Sequence, residues 1–376
     1  MIPYGRQDID AADIAAVVEA LQSDWLTTGP AVERFEQAAA SRFGAAHAVS
    51  VFNGTVALHL ACRALGLGPG DTLWTTPNTF VASANCALYC GASVDFVDID
   101  PQTYNMSAST LERKLSTAGK IPKIVVPVHF AGQPCDMRAI GVLAKKYRFT
   151  VIEDASHAVG ASYLGEPVGN CRHSDITVFS FHPVKIVTTA EGGMALTQRA
   201  DLAEKLRTLR THGIVRDPAR MTAKSEGGWY YEQVDLGYNY RITDLQAALG
   251  ASQLKRLDAF LARRRELAAR YDRLLADLPL TRPWQHPDGV SAWHLYVVQV
   301  ENRRKIFDAL RAAGIGAAVH YIPVHLQPHY RKFGFKPGDF PNAEAYYARA
   351  LTLPLFPRMS DLDQDQVVEA LREAVA

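Results

Sequence analysis

Phe149-Thr-Val-Ile-Glu-Asp154-Ala-Ser-His157 begins as a short apolar run and closes on two acids and an imidazole. A continuous apolar run of this length suits a strand buried on both faces of a parallel sheet. Similar runs lie at residues 48–52, 72–76, 94–97, 124–130, 176–181 and 194–197, which with 151–154 makes seven expected strands. Helical patterns lie between most of them, at 56–65, 80–90, 111–117 and 137–147, and Ser109 with Glu112 offers the third a capping box. Strands alternating with helices imply an α/β fold, a mostly parallel sheet covered on both faces. Ligands of such sheets bind beyond the carboxyl ends of the strands, which is where Asp154 falls.

At 376 residues the chain exceeds what one core usually supports, so a large and a small domain are expected. After Gly237 the pattern changes. Residues 243–278 read as one long helix, charged at Arg263, Arg264, Arg265 and Glu266, and that run suits a solvated or inter-domain face. A strand at 292–300, a helix at 303–313, a strand at 317–322 and two terminal helices then describe a smaller α+β domain. The expected division is 1–240 for the large domain and 241–376 for the connecting helix and small domain. Forty Lys and Arg against 39 Asp and Glu leave a net charge of +1, which points to neither nucleic acid nor an acidic membrane as partner. The five cysteines are scattered and odd in number, which suits buried thiols in a reducing compartment. The N-terminal stretch lacks a secretory pattern and no window has about 18 consecutive apolar residues, so cytoplasmic residence is expected.

The most specific chemistry lies in Ser180-Phe-His-Pro-Val-Lys185-Ile-Val-Thr-Thr-Ala-Glu-Gly-Gly193. Lys185 follows a strand and is hemmed by apolar residues, and desolvation favours the neutral, nucleophilic amine. Alone, such a lysine is more often a snorkelling surface residue. Its companions weigh against that. Asp154 at the strand end suits a buried cation such as a protonated pyridine nitrogen, or else an N-cap. In Ser50-Val-Phe-Asn-Gly54-Thr55 a strand runs into a helix start whose free amides, with the Thr55 hydroxyl, suit a phosphate. Pro77-Asn-Thr-Phe80 is a similar junction that could present Phe80 to an aromatic ring, or to the core. Phosphate cradle, ring platform, ring-nitrogen carboxylate and lysine follow in that order. His320-Tyr321-Ile-Pro-Val-His325-Leu-Gln-Pro-His329-Tyr330 reads as a polar, aromatic wall, its prolines breaking any regular metal-ligand spacing.

With Trp25-Leu-Thr-Thr-Gly-Pro30, Val128-His-Phe-Ala-Gly132 and Gly237-Tyr-Asn-Tyr-Arg241, these stretches resemble the DegT/DnrJ/EryC1/StrS family of sugar aminotransferases over nearly the whole chain. The resemblance implies fold type I and pyridoxal 5′-phosphate as cofactor, with Lys185 bonded to it and Asp154 at its ring nitrogen. It places His157 by the phenolic oxygen, Phe80 on the ring, and Gly54, Thr55 and Ser180 at the phosphate, with Asn239 reaching in from the second subunit of a homodimer. Tyr4, Thr27, Arg241, His320, Tyr321 and His325 are the implied substrate contacts, and no metal is implied. Ala190 departs from the family, where many relatives carry Gly. Phe181-His-Pro-Val-Lys185 is similar to enzymes that aminate UDP-4-keto-6-deoxy-N-acetyl-L-altrosamine at C4 for pseudaminic acid, with L-glutamate as donor. Sugar relatives that dehydrate carry His in place of the lysine, so Lys185 favours transamination. An aminotransferase for ordinary amino acids and a non-enzymatic regulator that merely holds the cofactor remain the rival readings.

Overall fold

The computed structural model describes residues 1–376. Seven strands, β1 (His47–Val51), β2 (Thr72–Thr75), β3 (Ser93–Phe96), β4 (Ile124–Val126), β5 (Thr150–Asp154), β6 (Ile176–Ser180) and β7 (Gly193–Thr197), form one sheet in the order β1-β7-β6-β5-β4-β2-β3. Only β7 runs against its neighbours. Helices α1 (Ala11–Gln22) and α2 (Pro30–Phe43) precede the sheet. Helices α3 (Gly54–Ala64), α4 (Ala82–Tyr89), α5 (Ala108–Thr117), α6 (Met137–Tyr147) and α7 (Ala200–Arg210) punctuate and close it. Alternate strand residues serve opposite faces, as the pleat requires. Leu73, Ile124, Ile152 and Val178 pack with α3, α4 and α7. On the other face Trp74, Val125 and Val151 pack with α5 and α6, while Phe179 and Met194 pack with α2 and the helix that starts at Asp244.

Four local expectations are corrected. The helix expected over 243–278 is two, α8 (Asp244–Lys255) and α9 (Leu257–Leu274). They are broken at Arg256 (φ −98°, ψ 0°), whose guanidinium is drawn to Asp8 (2.9 Å), Asp10 (3.2 Å) and Asp13 (3.1 Å). Helix α5 is capped by Ser107, which accepts the Thr110 amide at 3.2 Å, rather than by Ser109. Residues 317–322 form no strand. Gly316 instead donates to Ile2 (2.7 Å), and a single bridge joins Ala318 to Thr352. The strand that pairs with β8 (Tyr296–Gln299) is β9 (Ala350–Leu353), inside the stretch expected to hold only helices. With α10 (Arg303–Ala312), α11 (Pro341–Arg349) and α12 (Asp361–Val375), this part has a core of its own, 20 buried residues running from Leu267 to Ala374.

All five cysteines are free and buried. No helix is long and apolar enough to cross a membrane.

Candidate active site

A cavity of about 400 Å³ opens at the carboxyl ends of β1, β5 and β6. The large sheet supplies its floor, Tyr4 comes from the N-terminal segment, and His320 and Tyr321 come from the C-terminal part.

Lys185 lies five residues past β6, its amide bonded to the His182 carbonyl (2.8 Å) and its neighbours Ile186 and Val187 buried. Burial pushes its amine down to about 8, against the opposing pull of Asp154. Asp154 ends β5 and is held from two sides: Ser83 Oγ donates to Oδ2 (2.6 Å), and Ser156 donates to Oδ1 from its hydroxyl (2.6 Å) and its amide (3.1 Å). Its hydrogen-bond donors are all neutral, so no cation is bound to either oxygen and the carboxylate can face one in the cavity. Across the cavity, Asn53 caps α3 by accepting the Val56 amide (3.0 Å), and Gly54 and Thr55 form the first turn beside Ser180. The second glycine of Gly192-Gly193 has its reason here. A Cβ on Gly193 would fall 2.4 Å from the Asn53 carbonyl oxygen and 2.7 Å from Gly54 N, so β7 could not pass this helix start with any side chain.

His157 accepts the Ala131 amide at Nδ1 (3.3 Å), and its Nε2 meets the Tyr321 hydroxyl at 3.1 Å. Burial, then Lys185 and His320, hold its pKa well below the ordinary histidine range. A neutral ring that accepts at Nδ1 carries its proton on Nε2, so His157 is a donor on its cavity side. His320 is likewise kept neutral by burial and Lys185, its pKa down at about 3.

Of the residues singled out in the sequence, Tyr4, Gly54, Thr55, Phe80, Asp154, His157, Ser180, Lys185, His320 and Tyr321 all line this cavity. Thr27 and Asn239 are exposed and, with Arg241, lie outside it. His325 is a correction: it is fully buried between Phe96 and Phe340, its Nε2 2.9 Å from Glu344, and it does not line this cavity. Its proline neighbours turn the chain so that His320 and His325 point to different places, and no group of His, Cys, Asp or Glu is arranged to hold a metal. Asn53, Ser83, Ser156 and Glu191 were not foreseen as site residues. Ser83 lies three residues past Phe80, and a polar residue in the first turn of a small, mostly apolar helix was the available signal.

The family model for the DegT/DnrJ/EryC1/StrS aminotransferases matches residues 7–372. The chain belongs to that family. It is 45% identical to the spore coat polysaccharide biosynthesis protein SpsC of Bacillus subtilis, covering 100% of this chain and 97% of that protein. Among solved structures, a Streptococcus pneumoniae protein described as a sugar aminotransferase, in its PMP form, superposes with a TM-score of 0.93 at 31% identity, covering 100% and 99% of the two chains. Helicobacter pylori PseC, an aminotransferase involved in the biosynthesis of pseudoaminic acid, gives 0.91 at 30% identity, covering 100% and 99%. As a member of the DegT/DnrJ/EryC1/StrS family, this chain is a sugar aminotransferase that works with pyridoxal 5′-phosphate.

The residues present fit that cofactor. A helix start closed to side chains matches a phosphate, an acid fixed by hydroxyls matches a protonated ring nitrogen, and a half-buried lysine with a lowered pKa matches a carbonyl. When bound, the cofactor supplies an electrophilic carbonyl and a ring that accepts the electron pair released from the donor's carbon.

Proposed function

We propose that this chain moves an amino group from an amino acid, L-glutamate, to C4 of UDP-4-keto-6-deoxy-N-acetyl-L-altrosamine, on a route to pseudaminic acid. The observation that carries the reading is the amine of Lys185, half-buried at the mouth of the sheet with its pKa near 8, in a cavity shared with Asp154. Lys185 serves as the base that takes the proton from the donor's carbon and returns it to the adjoining position. It alternates between ammonium and amine near neutral pH because burial has brought the two forms close in energy. Asp154 holds a positive charge on the ring nitrogen. His157 donates from Nε2 to the phenolic oxygen, while Gly54, Thr55 and Ser180 anchor the phosphate and Phe80 covers a ring face. His320, Tyr321 and Tyr4 form the wall against which the sugar lies.

Support for the sugar comes from the Phe181-His-Pro-Val-Lys185 stretch and from the likeness to PseC. The 45% identity to a spore coat polysaccharide protein supports a second reading, amination of another UDP- or dTDP-linked keto sugar. Mass spectrometry of products from a panel of UDP- and dTDP-linked 4-keto sugars separates the two. Conversion of the altrosamine derivative above all others is expected, and no conversion of any sugar would overturn both.

A homodimer with shared sites belongs to the same reading. Asn239, Thr27 and Arg241 lie outside their own chain's cavity, and Trp25, Trp229 and Leu236 present large apolar faces to solvent. Mixing inactive Lys185→Ala and Asn239→Ala proteins should restore turnover by creating one intact site per mixed dimer. We also place the division of labour at 1–240 for the cofactor and 241–376 for the covering part, and the protein in the cytoplasm, in keeping with its free thiols.

A further inference from the structure

Three stretches of chain meet behind His157. Ala131 and Gly132 follow β4, His157 follows β5, and residues 292–295 lead into β8. The Ala131 amide bonds His157 Nδ1. The Ala131 carbonyl accepts from Leu295 (3.2 Å), and the Gly132 carbonyl accepts from Ala292 (3.0 Å). Gly132 has φ +102°, and a Cβ there would fall 2.8 Å from Trp293 N, 2.9 Å from His294 N and 3.0 Å from the His157 carbonyl oxygen. Only glycine lets the three strands of chain close to this distance.

Against His157 lies the ring of His294, centroids 4.4 Å apart. His294 is 4% exposed, and its Nδ1 has no protein partner. Its backbone is fastened from behind by Arg264, a fully buried residue of α9. The guanidinium donates to the carbonyls of Trp293 (3.1 Å), His294 (3.3 Å) and Leu355 (3.0 Å), with no carboxylate among these partners. A buried cation whose hydrogen-bond partners are carbonyls, with Nε left unpaired, adds positive potential. Together with burial, His157 and Lys185, it holds His294 in its neutral form.

Imidazole torsions are broad, and a histidine ring held by one 3.3 Å bond at Nδ1 and, at Nε2, by the Tyr321 hydroxyl, which can donate as well as accept, could turn over and present its acceptor to the cavity. The His294 ring fills the space such a turn would need. We propose that His294 is a positioning residue for amino transfer: strapped to Ala131 and fastened by Arg264, it pins His157 in the one orientation and tautomer that aims Nε2–H into the cavity. The functional part of this inference rests on the reading of His157 as donor to the cofactor's phenolic oxygen.

The test uses holoenzyme labelled with ¹⁵N-histidine. Multiple-bond nitrogen–proton spectra should show His157 purely as the Nε2–H tautomer in the wild type and as a mixture in His294→Ala. The same variant should lose kcat by roughly tenfold to a hundredfold, the cost of a slightly misplaced group, with little change in KM for the sugar. His294→Phe, which keeps a flat ring of similar size, should restore both the single tautomer and most of kcat. If His294→Ala does not fold, His294→Gln replaces it, keeping volume and polarity without the ring. An unchanged His157 spectrum in the ring-less variant overturns the proposal, as does failure of the Phe variant to restore it. A spectrum that responds as expected in a protein that aminates no sugar upholds the positioning and removes the assigned reaction instead.

Discussion

Replacing Asp154 by Asn sets two effects of one carboxylate against each other. Asp154 raises the pKa of Lys185 against the larger effect of burial. Removing its charge therefore drives the amine further below about 8 and makes more of it neutral. At pH 7 a group of pKa near 8 is about one-tenth neutral, so this gain is capped at about tenfold. Against it stands the loss of the charge that faces a protonated ring nitrogen. Removing one partner of a buried pair costs about 3–5 kcal/mol, or about two to four orders of magnitude in rate. Asn also keeps the shape, its Oδ1 accepting from the Ser156 hydroxyl and amide while its Nδ2 donates to the Ser83 hydroxyl, so folding is preserved. Two measurements read the opposing signs. Capture of pyridoxal phosphate by apo-protein at pH 7 should hold steady or quicken, while the stopped-flow absorbance change with glutamate should slow by at least a hundredfold. If the glutamate step quickens or stays level, Asp154 acts on Lys185 alone and its assignment to the ring nitrogen is wrong.

Lys185 also makes the apo-protein's stability depend on pH in a defined direction. Its folded pKa of about 8 lies below the ordinary 10.5, so between these values the unfolded chain binds the extra proton and stability rises with pH. Below about pH 8 the burial cost is fully present, and Lys185→Met should stabilise apo-protein at pH 7 by up to about 3 kcal/mol in urea titration, the advantage vanishing above pH 10.5. Ala190 has φ +64°, so Ala190→Gly should raise the melting temperature through relief of about 1 kcal/mol of left-handed strain, less the extra freedom glycine has when unfolded. His325→Ala should cost about 2–3 kcal/mol by opening space between Phe96 and Phe340 and leaving Glu344 only bonds from backbone amides such as that of Gly338, yet leave KM for the sugar unchanged. A raised KM with unchanged stability would return His325 to the site.

The parts of the fold legible in the sequence are those in which burial alone decides conformation. Strands such as Ile176–Ser180 and Gly193–Thr197 are buried at every position, and their apolar runs show at any register. The parts that failed depend on partners distant in the chain. Nothing local breaks a helix at Arg256. The break comes where three N-terminal acids, more than 240 positions away, gather its guanidinium. Residues 317–322 have a strand's composition, yet the backbone at Gly316 is taken by Ile2, and β9 fills the place beside β8.

The same distinction runs through the site. Asp154 ends a strand of the large sheet, Gly54 begins the helix that follows another, and Lys185 lies five residues past a third, so their placement follows from strand polarity once the alternation is read. His325 looked like their companion because it shares a short segment with His320 and Tyr321. Sequence proximity carries that inference only along a regular element, and Pro323 and Pro328 interrupt this one. His294 was invisible for the converse reason: as a histidine between apolar residues before a strand, it looks like core, and its significance arises only where Gly132 lets its segment reach the back of His157. The residues proposed to touch the cofactor were thus written in local motifs, while those proposed to orient them were written in tertiary packing. Variants that separate chemistry from orientation should accordingly be sought in 292–295 and Arg264 rather than in the Lys185 stretch.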